Sequence, residues 1–275
     1  MISKEHLTKK LFMVEDPNLS AVKDSWFHNQ QSNVSLKEYI MIADEWFKST
    51  DINNLYGWES FKCVDACFGC THFIESFIIK HGWDGFQILE DEYNYYTLMG
   101  KEGVSVENLR PNVPLILSMP NWKHGTRRKD WVSIITECER KNIDIHIDFA
   151  WLTIAKDIDI DLTHPCIKSF AMSISKYNMS WNRIGLRWSR QRHMDSITMS
   201  NHWQPNSNTN LMTYGVFFMK NIERDHGWNY HGANHYKVCK ELNLYSSDLL
   251  HVAFDKNNQP IGIGKILTEL SNSTV

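Results

Sequence analysis

The sequence predicts an α/β protein, with a mostly parallel sheet covered by helices and a reduced C-terminal appendage. Between residues 86 and 190, short continuous apolar runs alternate with helix-type apolar spacing, which is the pattern of buried parallel strands joined by helices. Two of these runs lead into the polar residues Asp148 and Lys176. Because ligands collect at the carboxyl ends of parallel strands, these positions are candidates for a functional site.

Each element is predicted from apolar spacing. Helices are expected where apolar residues recur every three or four positions: over residues 36–48, from the turn at Gly69 to Gly82, around residues 131–138 and near residues 234–242. Strands are expected at the continuous apolar runs: 86–89, 113–118, 143–148, 167–173 and 184–188. Two further runs, 249–254 and 261–266, flank the turn sequence KNNQP and predict a hairpin.

Three regions are expected along the chain. Residues 1–50 form an N-terminal helical segment, residues 51–192 form the α/β domain, and residues 193–275 form a reduced C-terminal region that serves as a small domain or a lid. An Asn-rich polar stretch after Arg192 marks the second boundary. With 275 residues, of which 42% are hydrophobic, the chain is long enough to bury a full-sized core.

Composition and charge disfavour several classes of function. The formal net charge is -3 and the basic residues do not cluster, so a nucleic-acid partner is not expected. The beginning of the sequence has no apolar stretch of signal-peptide length, and no later segment approaches the length of a membrane span. We therefore expect a cytoplasmic protein with no membrane partner. Six cysteines are too few for a disulfide scaffold in a chain of this length.

A glycine-containing turn precedes one predicted helix. Gly69, Cys70 and Thr71 come directly before an apolar helical pattern that ends at Gly82. The first turn of a helix has free backbone N–H groups and the positive end of the helix dipole. This turn is therefore a candidate phosphate-binding site.

Four short motifs occur in chain order: Pro120-Asn121, Asp148-Phe-Ala-Trp151, Ser173-Ile-Ser-Lys176 and Arg183-Ile-Gly185. They resemble the N-P-type turn, D-x-[AG]-Y, S-x-S-K and R-x-G motifs of the class I/II aminotransferases, in the fold-type-I pyridoxal phosphate superfamily. The resemblance covers roughly residues 60–190, about half of the chain. It implies pyridoxal phosphate as cofactor and an aminotransferase acting on an amino acid or a related primary amine.

The resemblance also implies a role for each site residue. Lys176 would form the Schiff base with the cofactor aldehyde and later move protons, and Asp148 would pair with the pyridine nitrogen. Tyr93 would stack on the ring, Asn121 would donate a hydrogen bond to the ring hydroxyl, and Trp151 would replace the family's tyrosine at that hydroxyl. The phosphate would be bound by Gly69, Cys70, Thr71, Ser173 and Arg183.

The sequence departs from the family pattern in three respects. The interval from Lys176 to Arg183 is one residue shorter than is common, and the indole of Trp151 cannot ionise as a phenol does. The C-terminal region has no clear counterpart of the small domain that carries an arginine for the substrate carboxylate. The candidates for that role are Arg187, Arg190, Arg192 and Arg224. Decarboxylation, elimination by a lyase, and oxidation therefore remain open as alternatives to transamination.

The family resemblance further implies a homodimer, with Tyr56 reaching the cofactor of the partner.

A competing interpretation comes from Cys63, Cys67 and Cys70, whose spacing is that of the radical S-adenosylmethionine enzymes, which bind an iron–sulfur cluster. Against it, Phe68 lies two positions before the last cysteine rather than immediately before it. In addition, no downstream glycine-rich strand motif is evident.

Structural interpretations of single residues also remain open. Lys176 could be a surface lysine, Asp148 could cap a helix, and Tyr93 could be a rim aromatic. His146 lies inside an apolar run and is expected to be an interior histidine with a satisfied hydrogen bond. A fold retained only for binding or regulation is disfavoured, because the lysine and the carboxylate are both present.

Overall fold

The computed structural model describes residues 7, 8, 10–28, 32–177, 183–203 and 208–273. The helices of these residues are α1 (Pro17–His28), α2 (Leu36–Lys48), α3 (Gly69–His81), α4 (Asn94–Leu98), α5 (Trp131–Arg140), α6 (Ser196–Thr198), α7 (Thr209–Asn221), α8 (His226–Leu242) and α9 (Gly264–Asn272). The strands are β1 (Asn54–Tyr56), β2 (Cys63–Cys67), β3 (Leu115–Ser118), β4 (Ile145–Asp148), β5 (Asp159–Asp161), β6 (Ile167–Ser173), β7 (Gly185–Ser189), β8 (Tyr245–Ser246), β9 (Val252–Phe254) and β10 (Pro260–Gly262).

The amphipathic helix predicted over residues 36–48 is confirmed as α2. The side chain of Ser35 caps it by accepting a hydrogen bond from the N–H of Glu38. Its apolar face buries Tyr39, Ala43, Trp46 and Phe47 in the core. Helix α1 was not predicted, because Leu19 is its one buried residue and the apolar spacing is correspondingly weak.

The main sheet has five strands in the order β2-β7-β6-β4-β3. Strands β3, β4 and β6 are parallel neighbours, whereas β7 runs antiparallel to both β6 and β2. The α/β fold is therefore confirmed, but the sheet predicted as mostly parallel is mixed, with two parallel and two antiparallel strand pairs. The strand predicted at residues 86–89 is wrong, because only isolated bridges occur there, from Gln87 to Leu115 and from Leu89 to Val104.

Strand β2 was missed because a charged residue interrupts its short apolar run. Asp65, in the middle of β2, is fully buried and faces Arg187 of β7 in the strand register. Arg187 donates to the carboxylates of Asp65 and Asp195 and to the hydroxyl of Thr198. This buried network ties β2 and β7 to α6, which covers the same end of the sheet.

The C-terminal region combines α7, α8 and α9 with a small antiparallel sheet in the order β10-β9-β8. The predicted hairpin is confirmed as β9 and β10. The second strand of that prediction was too long, since β10 ends at Gly262 and Gly264 begins α9. Ile263, Ile266 and Leu267 are all buried, a spacing of three and four residues that suits a helix.

Within the described part of the chain, every helix is too short or too polar to traverse a bilayer.

Candidate functional site

A cavity of about 300 Å³ opens at the carboxyl ends of β3, β4 and β6. Eight of the ten predicted site residues line it: Cys70, Thr71, Tyr93, Asn121, Asp148, Trp151, Lys176 and Arg183. The other two, Gly69 and Ser173, are adjacent to it: a Cβ added at Gly69 would lie 3.7 Å from Cδ of Arg183 and 3.8 Å from Cβ of Ser173. The structure therefore brings the predicted residues together at one sheet edge, as expected for a parallel α/β sheet.

One end of the cavity is formed by the N-terminus of α3. Gly69 has a positive φ of 67°, which L side chains rarely adopt, and no side chain caps the helix. Arg183 donates from Nη1 to the hydroxyl of Thr71 over 3.3 Å. The hydroxyls of Ser173 and Ser175 are hydrogen-bonded to each other at 2.9 Å. Free N–H groups, hydroxyls and a guanidinium converge here, so this end can bind an anion such as a phosphate.

The antiparallel direction of β7 explains how Arg183 reaches this end. Arg183 precedes β7, so the start of that strand lies at the edge where β6 ends. Gly185 permits the close approach, since a Cβ there would lie 2.4 Å from the carbonyl oxygen of Met172 and 3.3 Å from the Cα of Gly69. Strand direction and one glycine thus bring the arginine to the helix terminus.

Asp148 ends β4, lines the same cavity and is 5% exposed. One carboxylate oxygen accepts a hydrogen bond of 2.8 Å from the N–H of Ala150. Burial raises the pKa of this carboxyl, while hydrogen bonds from the Cys70 thiol and from Ala150 and the charge of Lys176 oppose the rise. The interpretation of Asp148 as a helix cap is wrong, because Trp151 occupies the N-cap position of the following 3₁₀ helix (Leu152–Ile154).

Lys176 lies inside the cavity rather than on the protein surface. Its Nζ atom is 4.3 Å from the centre of the Trp151 ring, a cation–π contact. Burial lowers the pKa of Lys176, and the nearby carboxylate of Asp148 opposes that change. An amine with a lowered pKa is more readily neutral, the form that acts as a nucleophile or as a base.

Tyr93 and Asn121 also line the cavity. Tyr93 is 41% exposed, and burial of its phenol together with the charge of Asp148 raises its pKa. Asn121 donates from Nδ2 to the carbonyl of Asp91 over 2.9 Å and accepts from the N–H of Lys123. The amide of Asn121 has a second N–H, which remains available for a ligand.

Sequence reasoning missed several residues around the cavity. The lining also includes Leu11, Ile74, Asn94, Ser118, Trp122, Ala150 and Ser175, of which only Ala150 and Ser175 belong to the predicted motifs. His251 was missed as well; it is 1% exposed, its ring meets that of Trp151 edge-on, and its Nε2 is 3.4 Å from the carbonyl oxygen of Lys176. A histidine inside the apolar run 249–254 was the available signal.

Three of the four candidate arginines are bound elsewhere. Arg187 belongs to the buried network with Asp65, and Arg190 donates to backbone carbonyls around residues 162–167. Arg224 is 2% exposed and donates to the carbonyls of residues 152 and 153. Arg192 is exposed and does not line the cavity. None of these four side chains faces the candidate site.

The three clustered cysteines do not form a metal site. Cys63 and Cys67 lie at opposite ends of the extended strand β2, and Cys70 is in α3. Burial raises the pKa of the Cys67 thiol to about 12, which disfavours the thiolate that a cluster requires. No group of three metal-binding side chains occurs in the described residues.

The interior placement of His146 is confirmed by its hydrogen bond of 2.7 Å to Ser169.

Tyr56 lies on β1, which pairs with β5 outside the main sheet. Its side chain is 52% exposed and does not line the cavity of its own chain.

No family model and no curated protein matches this sequence. Solved structures do match the fold. A pyridoxal phosphate-bound C-S lyase from Staphylococcus hominis superposes with a TM-score of 0.61 at 12% identity, covering 94% of this chain and 75% of the lyase. N-succinyldiaminopimelate aminotransferase from Mycobacterium tuberculosis gives 0.59 at 14% identity, covering 89% and 76%. Tyrosine aminotransferase from Leishmania infantum gives 0.59 at 11% identity, covering 94% and 90%. This chain therefore has the fold of the fold-type-I pyridoxal phosphate-dependent aminotransferases.

Proposed function

We propose that the protein is a pyridoxal phosphate-dependent aminotransferase acting on an amino acid or a related primary amine. One observation carries the proposal: the amine of Lys176, the buried carboxyl of Asp148 and the anion-binding end at Arg183 line a single cavity. When bound, pyridoxal phosphate would stabilise negative charge on the substrate carbon that bears the amino group. The fold shared with pyridoxal phosphate enzymes supports the assignment.

The side chains suit the parts of this cofactor. The first turn of α3, Thr71, Ser173 and Arg183 would hold the phosphate, since they offer N–H, hydroxyl and guanidinium donors. Asp148 would face the pyridine nitrogen and keep it protonated. Tyr93 would cover the ring, and the spare N–H of Asn121 and the indole N–H of Trp151 would reach the ring hydroxyl.

Lys176 has two roles in this proposal. It would hold the cofactor covalently in the resting protein, and it would take the proton from the substrate carbon after the substrate amine has displaced it. Its lowered pKa supports both roles, because each requires a neutral amine. Asp148, in the same cavity as Lys176, would be anionic to offset the positive charge of the protonated ring nitrogen.

The test is cofactor binding with reductive trapping. The purified chain should turn yellow with pyridoxal phosphate, and borohydride should bleach it and fix a phosphopyridoxyl group on Lys176, located by peptide mass spectrometry. Lys176→Ala should give no trapped product, whereas Lys168→Ala, a lysine paired with Asp144 outside the cavity, should behave as the wild type. A protein that ignores the cofactor, or traps it elsewhere, contradicts the proposal.

A non-transaminating reaction is the second candidate, as a lyase, decarboxylase or oxidase. It is favoured by the similarity to the C-S lyase structure and by the engagement of Arg187, Arg190 and Arg224 outside the cavity. The two candidates differ in stoichiometry. A transaminase consumes one added keto acid for each amine converted, whereas a lyase or decarboxylase releases product without a keto acid.

We extend the proposal to a cytoplasmic homodimer in which Tyr56 approaches the partner's site, and to a C-terminal small domain over residues 193–275. The exposure of Tyr56 is compatible with such a contact. Sedimentation equilibrium tests the dimer. A monomer that retains full turnover would contradict it.

A further inference from the structure

The nine arginines of the sequence can all be accounted for. Only Arg183 lines the cavity, where it is directed at the helix terminus through Thr71. Arg187, Arg190 and Arg224 are bound outside the cavity, as described above, and four more arginines are bound outside it as well. Arg110 donates to the carbonyl of Phe86, Arg127 to that of Asp159, Arg128 to Asp130 and Arg140 to Glu137. The cavity thus has one guanidinium, and that guanidinium lies at the anion-binding end formed by α3.

Among the described residues, the rest of the wall is uncharged, apart from Lys176 and Asp148. Once the residues assigned to the cofactor are set aside, the described lining consists of Leu11, Ile74, Asn94, Ser118, Trp122, Ala150 and Ser175. These side chains are aliphatic, aromatic or neutral polar. Among the described residues, Lys176 and Arg183 are the only ones that bring positive charge to the wall.

A carboxylate in such a place would find no guanidinium other than Arg183 among the described residues. Moving a carboxylate out of water is unfavourable unless a cation or several hydrogen-bond donors replace its hydration. Asp148 is already a buried carboxyl in the same cavity, and a second negative charge would be repelled by it. An uncharged substituent has neither cost, and Leu11 and Trp122 would bury its apolar surface.

We propose that the substrate is a primary amine with no carboxylate on its amine-bearing carbon, carrying an apolar or aromatic substituent. The proposal rests on the proposed function, since it assumes that pyridoxal phosphate occupies the phosphate end and Lys176. It excludes amino acids from the proposed substrates and leaves primary amines without that carboxylate.

Two stable conjugates that differ by one carboxylate provide the test: N-phosphopyridoxyl-2-phenylethylamine and N-phosphopyridoxyl-phenylalanine. Binding of each to the full cofactor-free chain is measured by calorimetry, so the readout does not depend on turnover. The amine conjugate should bind at least tenfold more tightly. If the phenylalanine conjugate binds equally or more tightly, the substrate class is overturned while the cofactor assignment stands. If neither conjugate binds, the proposed function itself fails.

Two variants sharpen the comparison. Asn94→Arg places a guanidinium on the wall and should tighten binding of the phenylalanine conjugate at least fivefold, with little effect on the amine conjugate. Arg192→Ala removes an exposed arginine that does not line the cavity and should leave both affinities unchanged. Selective weakening of the phenylalanine conjugate by Arg192→Ala would show that this arginine binds a carboxylate, from its own or a neighbouring copy, and would overturn the proposal.

Discussion

The Nζ atom of Lys176 lies 4.3 Å from the centre of the Trp151 ring, within the cavity that also contains Asp148. Two opposing effects therefore act on this amine. Burial disfavours its charged form and lowers the pKa, whereas the ring face and the Asp148 carboxylate favour the charged form. Because burial is the larger effect, the pKa of Lys176 lies below its ordinary value, and we expect the ring of Trp151 to limit how far it falls.

Trp151→Leu should lower the pKa of Lys176 further. A cation–π contact worth about 1 kcal/mol corresponds to roughly a fivefold change in the protonation equilibrium. Acylation of Lys176 in the cofactor-free protein, followed by mass spectrometry as a function of pH, should show the reactive form emerging at lower pH. Trp122→Leu, another tryptophan of the cavity wall, is the control and should leave the profile unchanged. An unaltered profile in Trp151→Leu would rule out this influence of the ring.

Arg183→Ala should weaken pyridoxal phosphate binding about 10- to 100-fold, the range for losing one charge-assisted hydrogen bond. Pyridoxal, which has no phosphate, should bind with nearly the same affinity to the variant and the wild type. Both affinities are measured by absorbance titration. Equal losses for the two ligands would place Arg183 somewhere other than the phosphate end.

Asp148→Ala should retain cofactor while losing turnover by about 10² to 10⁴, the usual contribution of one positioned ionisable group. The reason is that a carboxylate at the ring nitrogen acts on the developing charge rather than on binding. Steady-state kinetics and cofactor content are the measurements. Asp159→Asn, an exposed residue of β5, is the control. Normal turnover in Asp148→Ala would refute the role assigned to Asp148.

Gly185→Ala should destabilise the fold by about 1 to 3 kcal/mol, because the added Cβ would meet the Met172 carbonyl oxygen at 2.4 Å. It should also weaken phosphate binding by moving β7 away from α3. Urea unfolding measures the first effect. Gly227→Ala, in helix α8, meets its nearest neighbour at 3.4 Å and should be neutral or slightly stabilising. A variant as stable as the wild type would mean that the strand pair relaxes freely.

Asp16 should make the stability depend on acid pH. It is 1% exposed, and although burial opposes ionisation, hydrogen bonds from His226 and His231 hold its pKa below the ordinary value. The folded carboxyl therefore binds protons less readily than the unfolded one. Its stabilisation is complete above about pH 4 and is lost as the pH falls further.

Asp16→Asn should cost about 1.5 to 3 kcal/mol at neutral pH, the usual contribution of a hydrogen bond to a charged group. The difference from the wild type should shrink towards pH 3 in urea unfolding experiments. Asp24→Asn, on the exposed side of α1, should show no such trend. A difference that stays constant with pH would argue against this ionisation.

Local patterns predicted those elements that have strong apolar spacing. Helix α2 and the hairpin of β9 and β10 were predicted, since their buried faces repeat at a regular interval. Strand β2 was missed because the buried charge of Asp65 breaks the apolar run, and its partner Arg187 lies 122 residues away. Short-range spacing contains no information about such a partner.

The sequence by itself determined the chemical groups of the site and the order in which they occur: the glycine turn at Gly69, then Asp148, Lys176 and Arg183. The tertiary structure decided how they meet. The antiparallel direction of β7 brings Arg183 to the start of α3. The amine of Lys176 lies against the ring of Trp151. Long-range hydrogen bonds hold Arg187, Arg190 and Arg224 outside the cavity. These relationships depend on contacts between residues far apart in the chain, which local periodicity does not encode.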